Sequence, residues 1–190
     1  MAKVFSTRTA VLAAGAALLG AAALIYLTPA RTGQPIIGGA FALQTADGRI
    51  VSQQDLVGHP SLVFFGYTHC PDICPTTLAQ ISDVLAKLPE QPVKVYFITV
   101  DPERDSAKLM GEYVSSFDPR IVGLSGAPDA IEKVEKEYRV YARKAPRKDG
   151  DYAMDHSSAV YLMDRNGQFV SAFNLDRSAV ESAKELRTFL

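Results

Sequence analysis

An α/β domain carried by one amino-terminal membrane-spanning helix is the fold class that the sequence predicts. Three observations lead to it. Residues 10–27 are 18 consecutive apolar or small residues without a charge. From residue 41 onward, short apolar runs alternate with segments whose apolar residues recur every three or four positions, the pattern of strands and helices taken in turn. A strong turn at Asp164-Arg165-Asn166-Gly167 then joins two apolar runs as a hairpin, ahead of a closing helix.

At 1.5 Å rise per residue the uncharged run reaches about 27 Å, close to the hydrocarbon thickness of a bilayer. Lys3 and Arg8 precede it, and the first acidic residue of the chain is Asp47. That bias keeps the first residues cytoplasmic and sends the rest across. The expected organisation is a cytoplasmic end over residues 1–9, an anchor over 10–27, a tether over 28–39 that contains RTGQPIIGG, and one domain over 40–190. A cleaved signal peptide competes with the anchor, with Thr28-Pro29-Ala30 as its cleavage site, but its apolar core usually runs only about 7–15 residues. No cysteine lies near the segment to carry a lipid, and the residues ahead of it are too few for an Arg-rich transit peptide. The expected location is a bacterial inner membrane, single-pass, with the soluble domain on the periplasmic side.

Within the domain, residues 41–43 and 49–51 flank Ala46-Asp47-Gly48 as a hairpin. Residues 61–67 (SLVFFGY) form a continuous apolar run, typical of a strand buried on both faces, and residues 93–100 (VKVYFITV) form a second. Between them Leu78, Ile81, Leu85 and Leu88 mark an amphipathic helix over 75–88. A helix over 106–117, a strand over 121–124 and a helix over 128–138, with Pro128 in its first turn, follow. Strands over 140–142 and 159–163 are separated by a polar loop; the hairpin closes with 168–173, and the last helix covers 178–190.

Composition removes several function classes. Lys and Arg number 20 against 21 Asp and Glu, a net charge of −1. Without Lys3 and Arg8 the exported part holds 18 cations against 21 anions, a net charge of −3. Neither figure suits a nucleic-acid surface, which needs an excess of phosphate-neutralising cations. With 22% charged and 47% apolar residues the chain is not mainly disordered, and two cysteines cannot build a multi-disulfide scaffold. No Walker-type glycine loop or Gly-x-Ser-x-Gly elbow is present.

The two cysteines, Cys70 and Cys74, follow the first buried strand in Tyr67-Thr68-His69-Cys70-Pro71-Asp72-Ile73-Cys74-Pro75. That is the carboxyl end of a strand, where open α/β sheets place their sites. Pro71 stiffens the loop and Pro75 suits the first helical position. Thiols near a helix amino terminus are expected to favour thiolate, the form that binds metals and attacks disulfides. Three readings stay open. A structural disulfide would close only a short loop and gain little. A dithiol redox site has three residues between the cysteines where the thioredoxin motif has two. A metal site would use the two thiolates as two corners of a coordination sphere. Such a site needs a further ligand and suits Cu(I), zinc or, with an imidazole, Cu(II).

Of the three histidines, His59 reads as a surface loop residue before a strand, and His69, next to Cys70, as a hydrogen-bonding loop residue or a ligand. His156, in Met154-Asp155-His156-Ser157-Ser158, precedes a buried strand and can reach the cysteines only if that strand runs antiparallel beside the first. A third ligand and a Cys–His–Cys catalytic arrangement both remain open for it.

The segments from Phe64 to Pro75, Val100-Asp101-Pro102-Glu103-Arg104-Asp105 and Asp155-His156-Ser157 together resemble the Sco/SenC copper proteins, in that family's order, and the resemblance runs from about residue 37 to residue 189, essentially the whole exported domain. The resemblance implies a thioredoxin-like fold on one amino-terminal helix, and one copper, Cu(I) or Cu(II), held by Cys70, Cys74 and His156. It also implies a role in assembling cytochrome c oxidase. There the protein would mature the dinuclear copper centre of subunit II by delivering copper, reducing its cysteines, or both. An upstream periplasmic copper donor and a thiol reductant are then expected partners. Asp72 and Asp101 match the family's acidic residues and are expected to order ligands or loops, with a helix-capping carboxylate and a strand-end turn as their plainer roles. Three protein ligands leave an open, exchangeable site, and a Cys70–Cys74 disulfide would abolish it. The alternative is a metal-independent, membrane-tethered thiol–disulfide oxidoreductase. Thioredoxins carry a proline just before the strand facing their dithiol, whereas residues 151–163 contain none and offer His156.

Overall fold

The computed structural model describes residues 37–148 and 150–190. The expected cytoplasmic end and anchor, and the tether up to residue 36, lie outside the described residues. Among the described residues no helix is long and apolar enough to cross a membrane.

The first hairpin pairs β1 (Ala42–Gln44) with β2 (Ile50–Ser52), placing buried Leu43 opposite buried Val51. Gly48 at its turn has φ +84°, which the expected Asp-Gly turn requires. A single 3-10 turn, Gln53–Leu56, follows without having been expected. Ser52 and Asp55 close it as a reciprocal cap, a local signal that apolar spacing does not register.

The next strand, β3 (Ser61–Gly66), is buried at all six residues, as its unbroken apolar run predicts. It pairs in parallel with β4 (Lys94–Thr99), and β4 pairs in parallel with β5 (Ile121–Leu124). Phe64 and Phe65 point to opposite faces of β3. Phe64 stacks on Phe97 at 5.5 Å, while Phe65 meets Tyr138 at 5.3 Å and Tyr161 at 6.1 Å. The sheet is therefore filled with aromatic side chains on both sides.

Helix α1 (Ile73–Ala86) buries Cys74, Thr77, Leu78, Ile81, Val84 and Leu85, a stripe at three- and four-residue spacing. It begins two residues before the expected start at Pro75. A proline is tolerated throughout the first turn, where backbone N–H groups have no acceptor anyway, so Pro75 does not mark the boundary. The second cysteine is thus a helix residue and not a loop residue. Helix α2 (Ala107–Val114), capped by the Ser106 hydroxyl at 3.2 Å from the Leu109 amide, ends three residues before the expected limit. Helix α3 (Pro128–Tyr138) matches expectation, and Arg139 ends it in the left-handed region at φ +55°.

The largest departure lies in the stretch expected to be a polar loop. It forms a hairpin of its own, β6 (Ala142–Pro146) against β7 (Tyr152–His156), with Ala142 opposite His156 and Pro146 opposite Tyr152. Its residues are mostly intermediate or exposed, so no strong apolar alternation announces the strands.

The chain then re-enters the sheet as β8 (Val160–Met163), antiparallel to β3, with β9 (Phe169–Ala172) at the edge. The order is β5-β4-β3-β8-β9. Helix α4 (Ala179–Arg187), capped by Ser178 and Glu181, packs against α1. The antiparallel pairing brings the start of β8 to the carboxyl end of β3, the condition on which the reach of His156 depends.

Candidate metal centre

Cys70 and Cys74 are held by different devices. Cys70 sits in the turn after β3, where its N–H donates to the Tyr67 carbonyl at 3.3 Å. Asp105, fully buried, orders that turn: its carboxylate accepts from the Thr68 amide at 3.0 Å, the Thr68 hydroxyl at 2.6 Å and the Thr99 hydroxyl at 2.8 Å. Cys74 lies in the first turn of α1, and its N–H donates to Cys70 Sγ at 3.4 Å. Its thiol rests on Gly66 of β3. A Cβ at Gly66 would come within 2.7 Å of both Cys74 Sγ and the Phe97 ring, so the close approach of thiol to strand requires glycine. Neither cysteine is in a disulfide.

His156 ends β7 with Nε2 3.9 Å from Cys74 Sγ. Its Nδ1 lies 2.9 Å from the Ser157 carbonyl oxygen. A carbonyl only accepts, so Nδ1 carries the proton and the Nε2 lone pair is left for the cysteine side. The Tyr67 ring stands nearly perpendicular to the imidazole, at 5.7 Å and 86°. One ligand atom from each of Cys70, Cys74 and His156 falls within 4.8 Å of the others, and these three are the one such group among the described residues. Two sulfurs and an imidazole nitrogen, with no carboxylate among them, suit a soft or borderline metal and leave its coordination incomplete.

The protonation state differs from expectation. Burial pushes the Cys74 thiol well above its ordinary range, and the neighbouring Cys70 and Asp105 add to the effect. Helix-terminal amides do not make Cys74 a thiolate, because the cost of taking the charge out of water exceeds what they return.

The remaining candidates lie elsewhere. His69 is half-exposed, with Nδ1 3.0 Å from its neighbour Thr68 Oγ1 and 3.9 Å from Asp105 Oδ1. His59 Nδ1 faces the Pro60 carbonyl at 3.3 Å. Asp72 occupies the position before α1, exposed, but its side chain caps no helix amide; Thr76 Oγ1 is 3.5 Å from its carboxylate. Asp101, at the end of β4, is 1% exposed and accepts from Arg104 Nε at 2.5 Å and from the Tyr152 hydroxyl at 2.9 Å. Arg104, Tyr152, Tyr67 and Asp105 were not singled out from the sequence. Arg104 and Asp105 belong to the Val100–Asp105 motif and Tyr67 to the segment from Phe64 to Pro75, but nothing in the residue pattern identifies their partners.

The SCO1/SenC family profile matches residues 29–190. Among solved structures, Bradyrhizobium japonicum ScoI with copper bound is 54% identical, covering 81% of this chain and 99% of that chain with a TM-score of 0.79. The SCO2-like protein RP587 of Rickettsia prowazekii (strain Madrid E) is 42% identical over 149 residues, 76% of this chain and 73% of that protein. The mitochondrial SCO1 homolog 1 of Arabidopsis thaliana is 39% identical over 164 residues, 83% of this chain. This chain spans 49% of the length of that Arabidopsis protein. The α/β architecture is thus the thioredoxin-like one of the Sco structures, and the chain belongs to the SCO1/SenC family.

Proposed function

We propose that this protein is a membrane-anchored copper metallochaperone that binds one copper through Cys70, Cys74 and His156 and serves cytochrome c oxidase assembly. The observation that carries the reading is the convergence of the three donors within 4.8 Å from three separate elements. Two thiolates suit Cu(I) and the imidazole also accommodates Cu(II). With three protein donors, an incoming client ligand can bind the metal before a chaperone ligand leaves, so transfer needs no free ion. The client is the dinuclear copper centre of oxidase subunit II or a similar receiver, and a periplasmic donor loads the site. Asp101, through Arg104 and Tyr152, orders the surroundings, whereas Asp72, whose side chain caps no amide, only stands at the start of α1.

The same thiols support linked reduction of the client. Cys70, the more exposed, attacks a client disulfide as thiolate and forms a mixed disulfide. That step frees one client thiol; Cys74, as thiolate, then attacks the Cys70 sulfur, closing the Cys70–Cys74 disulfide and releasing the second client thiol, and a separate thiol reductant restores the pair. Residues 10–27 anchor the chain in a bacterial inner membrane, with residues 40–190 on the periplasmic side and 28–39 as tether.

Copper titration of the reduced full-length protein in detergent, with spectra of the Cu(II) form, tests the reading. One equivalent with thiolate-to-copper charge transfer is expected. His156→Ala should weaken binding while leaving the dithiol oxidisable, and unchanged affinity in that variant overturns the three-donor site. Absence of tight binding together with fast disulfide exchange would establish the metal-independent oxidoreductase instead.

A further inference from the structure

The strand that delivers His156 is not part of the central sheet. The β6–β7 hairpin pairs only with itself among the described residues: the β3–β8 ladder brings the end of β7 near the cysteines, but no strand ladder fixes the tilt of the hairpin itself. We propose that Arg104 is the positioning residue of the metal centre: it clamps the β6–β7 hairpin to the loop after β4 and so holds His156 against the Cys70–Cys74 pair. The proposal rests on the copper-site reading above and names what keeps that site assembled.

The guanidinium joins both sides at once. Nε donates to Asp101 Oδ2 at 2.5 Å on the β4 side. Nη1 donates to Asp151 Oδ1 at 3.1 Å and to the Tyr152 carbonyl at 3.0 Å on the hairpin. The guanidinium carbon lies 3.7 Å from the centre of the Tyr152 ring and 5.9 Å from that of Tyr67. The Tyr152 hydroxyl closes the circuit by donating to Asp101 Oδ1 at 2.9 Å. Tyr67, whose ring stands against the imidazole, directly follows β3 on the way to Cys70, so the cation contacts the supports of both halves of the site.

The geometry makes this clamp matter at the metal. Tyr152 and His156 are four residues apart on one strand, so they share a face and lie about 13 Å apart. A tilt of about 10° at the Tyr152 end would carry the imidazole about 2 Å, using the same rise per residue. Metal–ligand distances tolerate only about 0.2 Å. A further link between these elements, Lys144 to Glu103, joins two exposed side chains and holds little, and the Tyr67 hydroxyl bonds the Met154 backbone of the hairpin from the β3 side. Lysine cannot replace Arg104, because an ammonium lacks the planar fork and the stacking face.

A double-mutant cycle tests the clamp. Arg104→Met should weaken copper binding about 10- to 100-fold. Its Cu(II) spectrum should approach that of His156→Ala, and the double variant should bind no more weakly than His156→Ala alone. The midpoint potential of the Cys70–Cys74 pair should be unmoved, and Arg104→Lys should restore little. A copper-independent readout is the NMR contact between the Tyr67 and His156 rings in the metal-free protein, expected to be lost in Arg104→Met. If Arg104→Met does not fold, Tyr152→Leu removes the stacking face and the Asp101 bond, and is expected to lose the same ring contact. Additive losses in the double variant overturn the clamp, as does a retained ring contact. Failure of the wild-type protein to bind copper overturns the copper reading alone, because the ring contact still decides the clamp.

Discussion

Cys74 carries the least expected chemistry of any single residue here. Its thiol is buried against Gly66 and is held protonated well above the ordinary value of 9.0. A metal binds the thiolate, so copper held as proposed would have to displace that proton. Below the thiol pKa, each displaced proton lowers apparent affinity about tenfold per pH unit. Copper affinity should therefore rise by at least about 100-fold from pH 6 to pH 8, with proton release detectable in weakly buffered solution. A pH-independent affinity over that range would show that Cys74 is already ionised or does not ligate. The grouping of Cys70, Cys74 and His156 was legible in the sequence as residue types in a family pattern. The burial of Cys74 was not, because it depends on where α1 starts, and the prolines on either side of Cys74 permit more than one start.

At the scale of elements, legibility followed the strength of the apolar pattern. β3 and β5 are buried runs, and α3 opens on Pro128 and closes on Tyr138, so their boundaries are close to those read from sequence. The β6–β7 hairpin is held by main-chain pairing and by the Arg104 contacts, which hydropathy does not record. Helix α3 also carries an acid at a costly position. Burial pushes Glu135 from 4.5 up to about 7, and the neighbouring Glu132 charge adds to it. A folded pKa above the unfolded one means that the stability contribution is full below pH 4.5 and is lost as pH rises through 7. Glu135→Gln should therefore stabilise the fold at pH 8 by about 1 kcal/mol, discounted for partial exposure, and change little at pH 4. Denaturant unfolding of both proteins at the two pH values checks this. Equal stabilities at pH 8 would show that the carboxylate is adequately solvated.

The whole molecule inherits one consequence from filling both faces of a sheet with aromatic side chains. Alternation of strands and helices made that two-layered cover legible, but not which tyrosine hydroxyls lose water. Burial pushes Tyr96 and Tyr113 from 10.0 up to about 12, and raises Tyr138 as well. Tyr96 keeps a partner, donating to the Asp55 carbonyl at 2.8 Å, whereas the buried Tyr113 hydroxyl has none among the described residues. All three, with Cys74, hold protons in the folded state that the unfolded chain gives up at lower pH. Their contribution is full below the unfolded pKa and is lost as pH rises through the folded values. Each retained proton steepens the loss by about 1.4 kcal/mol per pH unit. Against a total stability of about 5–15 kcal/mol, a few such protons bring the fold to its limit soon above pH 10. The metal-free protein should thus unfold cooperatively between about pH 10 and 12, with tyrosinate absorbance at 295 nm rising together with the loss of circular dichroism, because ionisation of these rings requires their exposure. Ionisation of Tyr96, Tyr113 and Tyr138 near pH 10 with circular dichroism intact would show that their hydroxyls reach water without unfolding, and that the aromatic layers are open to solvent.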